Sequence, residues 1–179
     1  MSDTNPSMVG KKLYLRPVTI EDIAIIHQWR LASEPQALSC RPIPISTAEE
    51  VMTRFKKRVS GTNRQRFAIV RKKDHVLIGE VAFFNYNPLN RSMELGILIN
   101  PEERQNGYGR EALHVLCRYL FKYRGLNKVY AQTAAHNKGA VRLVESSGFK
   151  QDGMLRDHYF FNGQFYAGLI YSLLLFEFE

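Results

Sequence analysis

Residues 94 to 120 constrain the fold of this 179-residue chain more than any other segment. The segment begins with a run of aliphatic residues that ends at Asn100-Pro101, as a β-strand ends. Gly107 and Gly109 follow, and beyond them leucines recur at helical spacing as far as Leu120. A strand, a glycine turn and a helix N-terminus present unpaired N–H groups and a positive dipole end to an anion. The segment therefore predicts a phosphate-binding site.

Two kinds of phosphate-binding turn compete for this segment. Residues 107 to 112 fit the dinucleotide fingerprint G-x-G-x-x-A. That fingerprint needs an acidic residue about 20 positions further on for the ribose, yet no Asp or Glu lies between Glu111 and Glu145. Read from Arg104, the same residues are R-x-x-G-x-G, which resembles the acyl-CoA pyrophosphate loop of the GCN5-related N-acetyltransferase (GNAT) superfamily.

The resemblance to GNAT proteins extends along nearly the whole chain, in the branch that includes ribosomal-protein N-terminal acetyltransferases and spermidine N-acetyltransferases. The matching segments are 13–17, 21–22, 28–30, 78–80, 136–140, 147–149, 156–160 and 162–164. The resemblance implies an α/β GNAT fold, with a mixed, mostly antiparallel central sheet of about seven strands flanked by about four helices. We expect a single domain over residues 1–179, with a loose N-terminus at residues 1–9.

Local patterns predict the elements of this fold. Thr19 is expected to N-cap a first helix with an apolar face, and Ser46 and Thr47 both fit capping boxes for a second helix that runs to about residue 59. Asn162-Gly163 is a strong β-hairpin signal. The other predicted elements are a loop at 34–44, a connection at 85–90, a helix at 137–146, and strands at 13–16, 66–71, 76–84, 92–99, 129–133, 149–154, 157–161 and 165–176.

Composition excludes several classes of protein. The chain is 45% hydrophobic and 23% charged, which is typical of a globular protein, and no apolar run reaches the roughly 20 residues of a membrane span. Its first ten residues are polar, without a signal-peptide core, so we expect a cytoplasmic protein and no membrane partner. Cys40 and Cys117 lack disulfide or zinc spacing, and the five histidines lack metal-ligand spacing. No metal is expected.

The net charge is +8, and residues 54–73 carry nine basic side chains without an acidic one. One interpretation is a solvated helix face followed by a hairpin. The other is an anion-attracting surface for the CoA 3′-phosphate, for an acidic substrate or for ribosomal RNA. No RNA-recognition motif accompanies the stretch from Arg54 to Lys73, so nucleic acid is the lesser hypothesis.

The predicted donor is acetyl-CoA, bound at the end of the strand and at the glycine turn. The backbone of the strand end would hydrogen-bond the pantetheine arm as an added strand, and an N–H near Ile99 would stabilise the oxyanion. The resemblance adds Asn137 as a further contact. The predicted cofactor-binding residues are Ile97, Leu98, Ile99, Arg104, Gln105, Asn106, Gly107, Tyr108, Gly109, Arg110 and Asn137.

Glu94 is the candidate catalytic residue. Related proteins often have a glutamate at this position, which relays the amine proton through water. The alternative is a structural role, in which Glu94 only pairs with an arginine, for example Arg91 or Arg66. Glu80 on the neighbouring strand is the second candidate base.

No general acid can be assigned. Spermidine-acetylating members of the family have a tyrosine where this chain has Val144, and some ribosomal-protein acetylating members have a serine where it has Val141. His136 and Tyr130 are near in sequence, but each fits a structural role, and Tyr108 is expected to pack beside the cofactor.

These observations favour an acetyl-CoA-dependent N-acetyltransferase that acts by direct transfer in a ternary complex. The acceptor is a primary amine, on a protein N-terminus or on a small molecule such as a polyamine, amino sugar or antibiotic, and a homodimer is possible. The alternative is a CoA-binding sensor or ribosome-associated binding module that has lost turnover, an idea that rests on the missing acid and the basic stretch.

Overall fold

A computed structural model of the chain describes residues 6–32, 46–57 and 63–178. Its strands form one seven-stranded sheet in the order β1-β2-β3-β4-β5-β7-β6. All neighbouring strands are antiparallel except β4 and β5. The strands are β1 (Leu13–Pro17), β2 (Gln65–Arg71), β3 (Leu77–Asn87), β4 (Ser92–Ile99), β5 (Lys128–Ala134), β6 (Lys150–Phe161) and β7 (Gln164–Leu174).

Four α-helices of the described residues flank this sheet: α1 (Ile20–Ala32), α2 (Ala48–Lys57), α3 (Tyr108–Lys122) and α4 (Lys138–Ser146). Short 3-10 helices occupy Pro6–Met8, Pro101–Glu103 and Leu175–Glu177. The predicted α/β fold with a mixed, mostly antiparallel sheet is confirmed.

Local sequence chemistry sets several of these boundaries. The hydroxyl of Thr47 accepts a hydrogen bond from the N–H of Glu50 at 3.2 Å, and the N–H of Thr47 donates to the Glu50 carboxylate at 2.9 Å. This is a complete capping box, so α2 begins where the sequence predicts. Asn162 and Gly163 have φ angles of 49° and 75°, as a type I′ turn requires, and they join β6 to β7.

The main core lies between one face of the sheet and helices α3 and α4. The leucines that define the apolar face of α3, Leu113, Leu116 and Leu120, are 2%, 0% and 0% exposed. A second cluster lies on the opposite face, where Ile23 and Ile26 of α1 pack on the sheet. Helices thus cover both faces of the first strands, and α3 fixes the position of the glycine turn that precedes it.

Truncating Leu116 to alanine is expected to cost about 3 kcal/mol of unfolding free energy, because it leaves a cavity in a close-packed core. Chemical denaturation would measure this loss. Leu89→Ala is the matched control, since Leu89 is 90% exposed and its truncation is expected to change stability by less than about 0.5 kcal/mol. Equal losses in the two variants would contradict the assignment of the core.

Two strands are longer than predicted. Strand β3 continues to Asn87 through a register shift after Phe84, where Asn85 has a φ of 54°, so the predicted connection at 85–90 is wrong in its first half. Strand β6 is continuous from 150 to 161, with register shifts near Gly153 and Asp157. The two strands predicted at 149–154 and 157–161 are therefore one bulged strand, and a bulge interrupts alternation without ending a strand.

Both ends of the described chain also depart from prediction. Strand β7 ends at Leu174, so the strand predicted at 165–176 is too long at its end. Phe176 lies in a 3-10 helix and is 80% exposed. Residues 6 to 9 are not loose, because Met8 is 4% exposed and Arg118 of α3 donates hydrogen bonds to the carbonyls of Ser7 and Val9. Residues 1–5, the predicted loop at 34–44, Cys40 and the predicted end of α2 near residue 59 lie outside the described residues.

Candidate active site

The sheet opens between β4 and β5. These parallel strands pair only from Ser92 to Glu94, opposite residues 128 to 130. Beyond Glu94, the rest of β4 is paired with β3 alone and the rest of β5 with β7 alone. The two facing edges therefore carry backbone groups that no strand of the described chain pairs, and an extended ligand with amide groups could pair with them.

The hydrogen-bond register shows which residues of β4 face this opening. The N–H of Asn100 donates to the carbonyl of Ile78 at 2.9 Å, so the Gly79–Ile99 pair is a non-hydrogen-bonded one. The N–H and C=O groups of Ile97 and Ile99 consequently face away from β3 and into the opening. Leu98 lies between these two residues, so its backbone N–H and C=O groups point towards β3. The predicted backbone hydrogen bond from Leu98 to the pantetheine arm is therefore corrected.

The glycine turn lies at the end of this opening. Gly107 is the N-cap of α3 with a φ of 81°, a left-handed conformation that favours glycine. A Cβ on Gly109 would lie 3.1 Å from a methyl carbon of Leu143 in α4 and 3.6 Å from Ile99. Glycine therefore lets the helix start approach both α4 and the strand end. The first N–H groups of α3 have no intrahelical partner, as expected for an anion site.

Side chains of the preceding loop surround this helix start. Arg104, Gln105, Asn106 and Arg110 are all exposed. Gln105 has a φ of 63°, and the amide of Asn106 donates to the carbonyl of Glu103 at 3.3 Å. The loop thus presents two arginines beside unpaired helix N–H groups, a combination that suits a pyrophosphate.

Glu94 lies where the two strands begin to separate and is 6% exposed. Its carboxylate accepts a hydrogen bond from the amide of Asn85 at 2.6 Å. Tyr130 is its register neighbour on β5, and the pKa of the Tyr130 phenol is raised by burial and by the negative charge of Glu94. Within the described residues no lysine or arginine forms an ion pair with this carboxylate, so the predicted alternative of pairing with Arg91 or Arg66 does not occur.

Glu80, the second candidate base, is already engaged. Its side chain is 4% exposed and forms ion pairs with Arg30 of α1 and Arg66 of β2. Arg66 donates two hydrogen bonds to one carboxylate oxygen, at 2.8 and 2.5 Å. Both carboxylate oxygens of Glu80 thus already accept hydrogen bonds from guanidinium groups, so the geometry favours Glu94 over Glu80.

Comparison with known proteins identifies the family. A family model described as an acetyltransferase (GNAT) domain matches residues 12–150. The chain belongs to the GNAT acetyltransferase family. Spermidine N(1)-acetyltransferase of Vibrio cholerae serotype O1 is 31% identical over 122 residues, which are 68% of this chain and 70% of the relative. The enzyme of that name from Escherichia coli (strain K12) is 26% identical over 151 residues, or 84% and 80% of the two chains.

Solved GNAT structures share the fold. The crystal structure of the Vibrio cholerae spermidine N-acetyltransferase in complex with CoA and spermine matches with a TM-score of 0.85 and 26% identity, over 93% of this chain and 98% of that chain. Family and relatives together confirm the branch predicted from the motifs, and the chain is an acetyl-CoA-dependent N-acetyltransferase.

Two features are absent from residues 6–32, 46–57 and 63–178. No helix there is long and apolar enough to cross a membrane. No group of three or more His, Cys, Asp or Glu side chains there is arranged to hold a metal ion.

Asn137, a predicted GNAT cofactor contact, is 8% exposed and N-caps α4, where its side-chain oxygen accepts a hydrogen bond from the N–H of Ala140 at 3.1 Å. Tyr108 is half-buried at the start of α3. It faces Arg71, whose pKa is raised by hydrogen bonds to Asp74, Glu103 and Tyr108. Tyr108 is therefore held by a neighbouring guanidinium beside the predicted pyrophosphate site.

The positions considered for a general acid are occupied by packing groups. Val144 is 6% exposed and belongs to the core. His136 stacks on Phe161 with ring centroids 5.3 Å apart, and its ring is tilted against Tyr166 at a centroid distance of 4.3 Å. Its ring nitrogens are buried without a hydrogen-bond partner in the described chain. These surroundings agree with the structural role predicted for His136.

Long-range contacts at the site were missed from the sequence. Asn85 reaches Glu94 through the bulge in β3, and Arg30 reaches Glu80 across 50 residues of sequence. The only local sequence feature that pointed to the bulge was Asn85 directly after a predicted strand, because asparagine tolerates positive φ.

Several basic side chains of the stretch at 54–73 form ion pairs or hydrogen bonds within the protein. Arg66 pairs with Glu80, Arg71 with Asp74 and Glu103, Lys72 with the carbonyl of Gly10, and Arg54 with the carbonyl of Glu50. Residues 58–62 lie outside the described chain. The engaged side chains favour the structural interpretation of the stretch over an RNA-binding one.

Proposed function

We propose that the protein transfers an acetyl group from acetyl-CoA to a primary amine by direct attack in a ternary complex, with Glu94 as the proton acceptor. The observation that carries the proposal is the position of Glu94. It is a buried carboxylate, without a cationic partner in the described chain, at the point where β4 and β5 separate.

Acetyl-CoA supplies the acetyl group as a thioester, and the residues present fit it. Ile97 and Ile99 offer backbone N–H and C=O groups to an extended arm, as a strand edge offers them to a peptide. The helix start at Gly107 to Arg110, with Arg104 beside it, suits the pyrophosphate. Gly109 supports this assignment, because a side chain there would push the start of α3 away from α4 and from the end of β4.

Glu94 accepts the proton of the acceptor ammonium through a water molecule, and the neutral amine is then the nucleophile. A carboxylate is a weak base for an amine, and a bridging water provides the path for the proton between the two groups. The N–H of Ile99 donates to the acetyl oxygen as negative charge develops on it, a type of interaction that contributes strongly in acyl transfer. No residue of this chain is assigned to protonate the leaving sulfur.

The test is release of free thiol from acetyl-CoA in the presence of amines. The panel contains spermidine, aminoglycosides, amino sugars, free amino acids and short peptides with serine, alanine or methionine N-termini. Turnover with one class supports the proposal and identifies the acceptor. Absence of turnover with every amine, in a protein that acetyl-CoA stabilises against heat, would contradict it and support the binding-module alternative.

Substitutions of Asn137 separate its capping role from its proposed cofactor contact. Asn137→Ala is expected to lower the unfolding free energy by about 1 kcal/mol, because α4 loses its N-cap. Asn137→Ser keeps a capping oxygen, so its stability should stay near wild type while its KM for acetyl-CoA rises several-fold. Steady-state kinetics and thermal denaturation measure the two effects. An unchanged KM in the serine variant would leave Asn137 as a helix cap alone.

A further inference from the structure

A cavity of about 500 Å³ lies beside α3, between that helix and the N-terminal segment. Residues 9–11 form the wall on the side of the N-terminal segment. The residues on the side of the helix recur at spacings of three and four, so they share one side of α3. They include Gly107, Arg110, Glu111, His114 and Arg118.

Hydrogen bonds hold the N-terminal segment against α3. Arg118 donates to the carbonyls of Ser7 and Val9 at 3.1 and 2.8 Å. The N–H of Lys12 donates to the carboxylate of Glu111 at 2.8 Å. Both walls of the cavity are therefore fixed by contacts within the fold.

The lining of this cavity is cationic. Lys11, Arg110 and Arg118 are positively charged, and Glu111 is the one carboxylate among the described residues that line it. Within the described chain, no hydrogen bond or ion pair engages the side chain of Lys11 or Arg110. The pKa of the His114 imidazole is lowered by partial burial and by the charges of Arg118 and Arg110. Positive charge thus prevails in the cavity, and the cavity favours an anion.

The cavity is continuous with the predicted pyrophosphate site. Gly107 and Arg110 belong to the glycine turn, and both also line the cavity. At the usual helical rise, Arg110 lies about 4.5 Å beyond Gly107 along the axis of α3. In CoA, one ribose carries the pyrophosphate on its 5′ carbon and a phosphate monoester on its 3′ carbon. A pyrophosphate bound at the helix start would therefore bring the 3′-phosphate close to Arg110.

We propose that this cavity binds the 3′-phosphate of the acyl donor between Lys11 and Arg110, and thereby selects CoA over donors that lack this phosphate. The site depends on the proposed binding of acetyl-CoA at the glycine turn, and it adds a residue of the N-terminal segment to that binding. Three cations and one carboxylate leave two positive charges in the lining. A phosphate monoester carries about −1.5 to −2 at pH 7, so the charges match.

CoA and dephospho-CoA differ only in the 3′-phosphate, and calorimetry with both tests the assignment. We expect wild type to bind CoA roughly tenfold more tightly, as for one charge-assisted hydrogen bond. Lys11→Gln should weaken CoA several-fold and leave the Kd of dephospho-CoA unchanged. Equal Kd values for the two ligands in wild type would overturn the inference.

Lys56→Gln is the matched control, because it makes the same charge change at an exposed position of α2, a helix that packs on the opposite face of the sheet. It should keep the wild-type preference for CoA. This variant also tests the basic stretch at 54–73, the other candidate for the 3′-phosphate. A preference that Lys56→Gln removes and Lys11→Gln retains would overturn the inference.

Two further variants act within the lining. Arg110→Gln should weaken CoA more than dephospho-CoA, whereas equal weakening of both would assign Arg110 to the pyrophosphate alone and contradict the proposed site. Glu111→Gln removes the carboxylate and keeps an oxygen for the N–H of Lys12, so it should tighten CoA several-fold without changing the Kd of dephospho-CoA. Unchanged CoA binding in this variant would count against a phosphate in the cavity.

Free phosphate is the other source of this chemistry. Inorganic phosphate, added to the CoA-saturated protein at constant ionic strength, should give no binding signal that Lys11→Gln abolishes, because the donor already fills the cavity. Such a signal would show that the cavity binds phosphate beside the donor, and it would overturn the assignment to CoA.

Calorimetry measures donor binding without turnover, so this site and the proposed function fail in different ways. A protein that prefers CoA through Lys11 but acetylates no amine would refute the proposed function and retain the site. Equal binding of CoA and dephospho-CoA, by a protein that acetylates an amine, would refute the site alone. A protein that binds neither ligand would refute both.

Discussion

Replacement of Glu94 by glutamine is expected to lower kcat by about 100-fold to 1,000-fold, the usual contribution of a positioned general base. Glutamine keeps the size of the side chain and its hydrogen bond to Asn85 but does not accept the amine proton. The KM for acetyl-CoA should stay near wild type, because the proposed donor contacts lie further along β4 and at the glycine turn. Thiol release with the preferred acceptor measures kcat, and calorimetry with CoA measures donor binding.

The matched control is Glu21→Gln, since Glu21 is exposed in the first turn of α1. We expect its kcat to differ from wild type by less than about twofold. A Glu94→Gln enzyme with wild-type kcat would show that Glu94 is only structural, and another group would have to accept the proton. A steep loss would in turn exclude the binding-module alternative, because a module without turnover has no rate to lose.

The double substitution Gly107→Val, Gly109→Val is expected to weaken acetyl-CoA binding by at least about 100-fold. Gly107 has a φ of 81°, and a β-branched residue is strongly disfavoured in that conformation. At Gly109 the new Cβ would lie 3.1 Å from Leu143, so the helix start has to move away from α4. The N–H groups proposed to bind the pyrophosphate would move with it. Calorimetry with CoA measures the effect.

Gly153→Val is the control for this pair, because a Cβ there meets no atom within 4 Å and its φ is not in the left-handed region. That variant should bind CoA like wild type. Circular dichroism checks that the double variant is still folded. Wild-type binding by a folded double variant would refute the assignment of the glycine turn to the pyrophosphate.

Elements with local causes were predictable from the sequence. The capping box at Thr47, the turn at Asn162-Gly163 and the glycine turn before α3 each depend on a few adjacent residues, and all occur as predicted. The length of β3 and the continuity of β6 were not predictable by the same means. Both depend on bulges at residues such as Asn85 and Asp157, and pairing with neighbouring strands decides whether a bulge interrupts a strand or ends it.

The residues of the candidate site likewise fall into those that could be predicted from local sequence and those that could not. Glycine spacing predicted the turn before α3, because such a turn depends on consecutive residues. The partners of Glu80 and Glu94 were not predictable, since Arg30 and Asn85 reach them only through the packing of α1 on the sheet and the bulge of β3. The orientation of the backbone groups on β4 also could not be predicted. The backbone groups of Ile97 and Ile99 point away from β3 and those of Leu98 point towards it, and this follows from the pairing register with β3.

The short pairing of β4 with β5 separates the sheet into two groups of strands that share few hydrogen bonds. Residues 92 to 94 are the only part of β4 that hydrogen-bonds to β5 in the described chain, so strands β1 to β4 and strands β5 to β7 meet along a brief seam. Helix α3 spans this seam, since its buried face belongs to a core that includes Leu95 on one side and Val129 on the other. A donor bound along the facing edges of β4 and β5 would connect the two groups of strands. By mass action, a donor at 100 times its Kd would raise the free energy of unfolding by about 2.7 kcal/mol. The acyl donor would therefore stabilise the fold as well as supply the acetyl group.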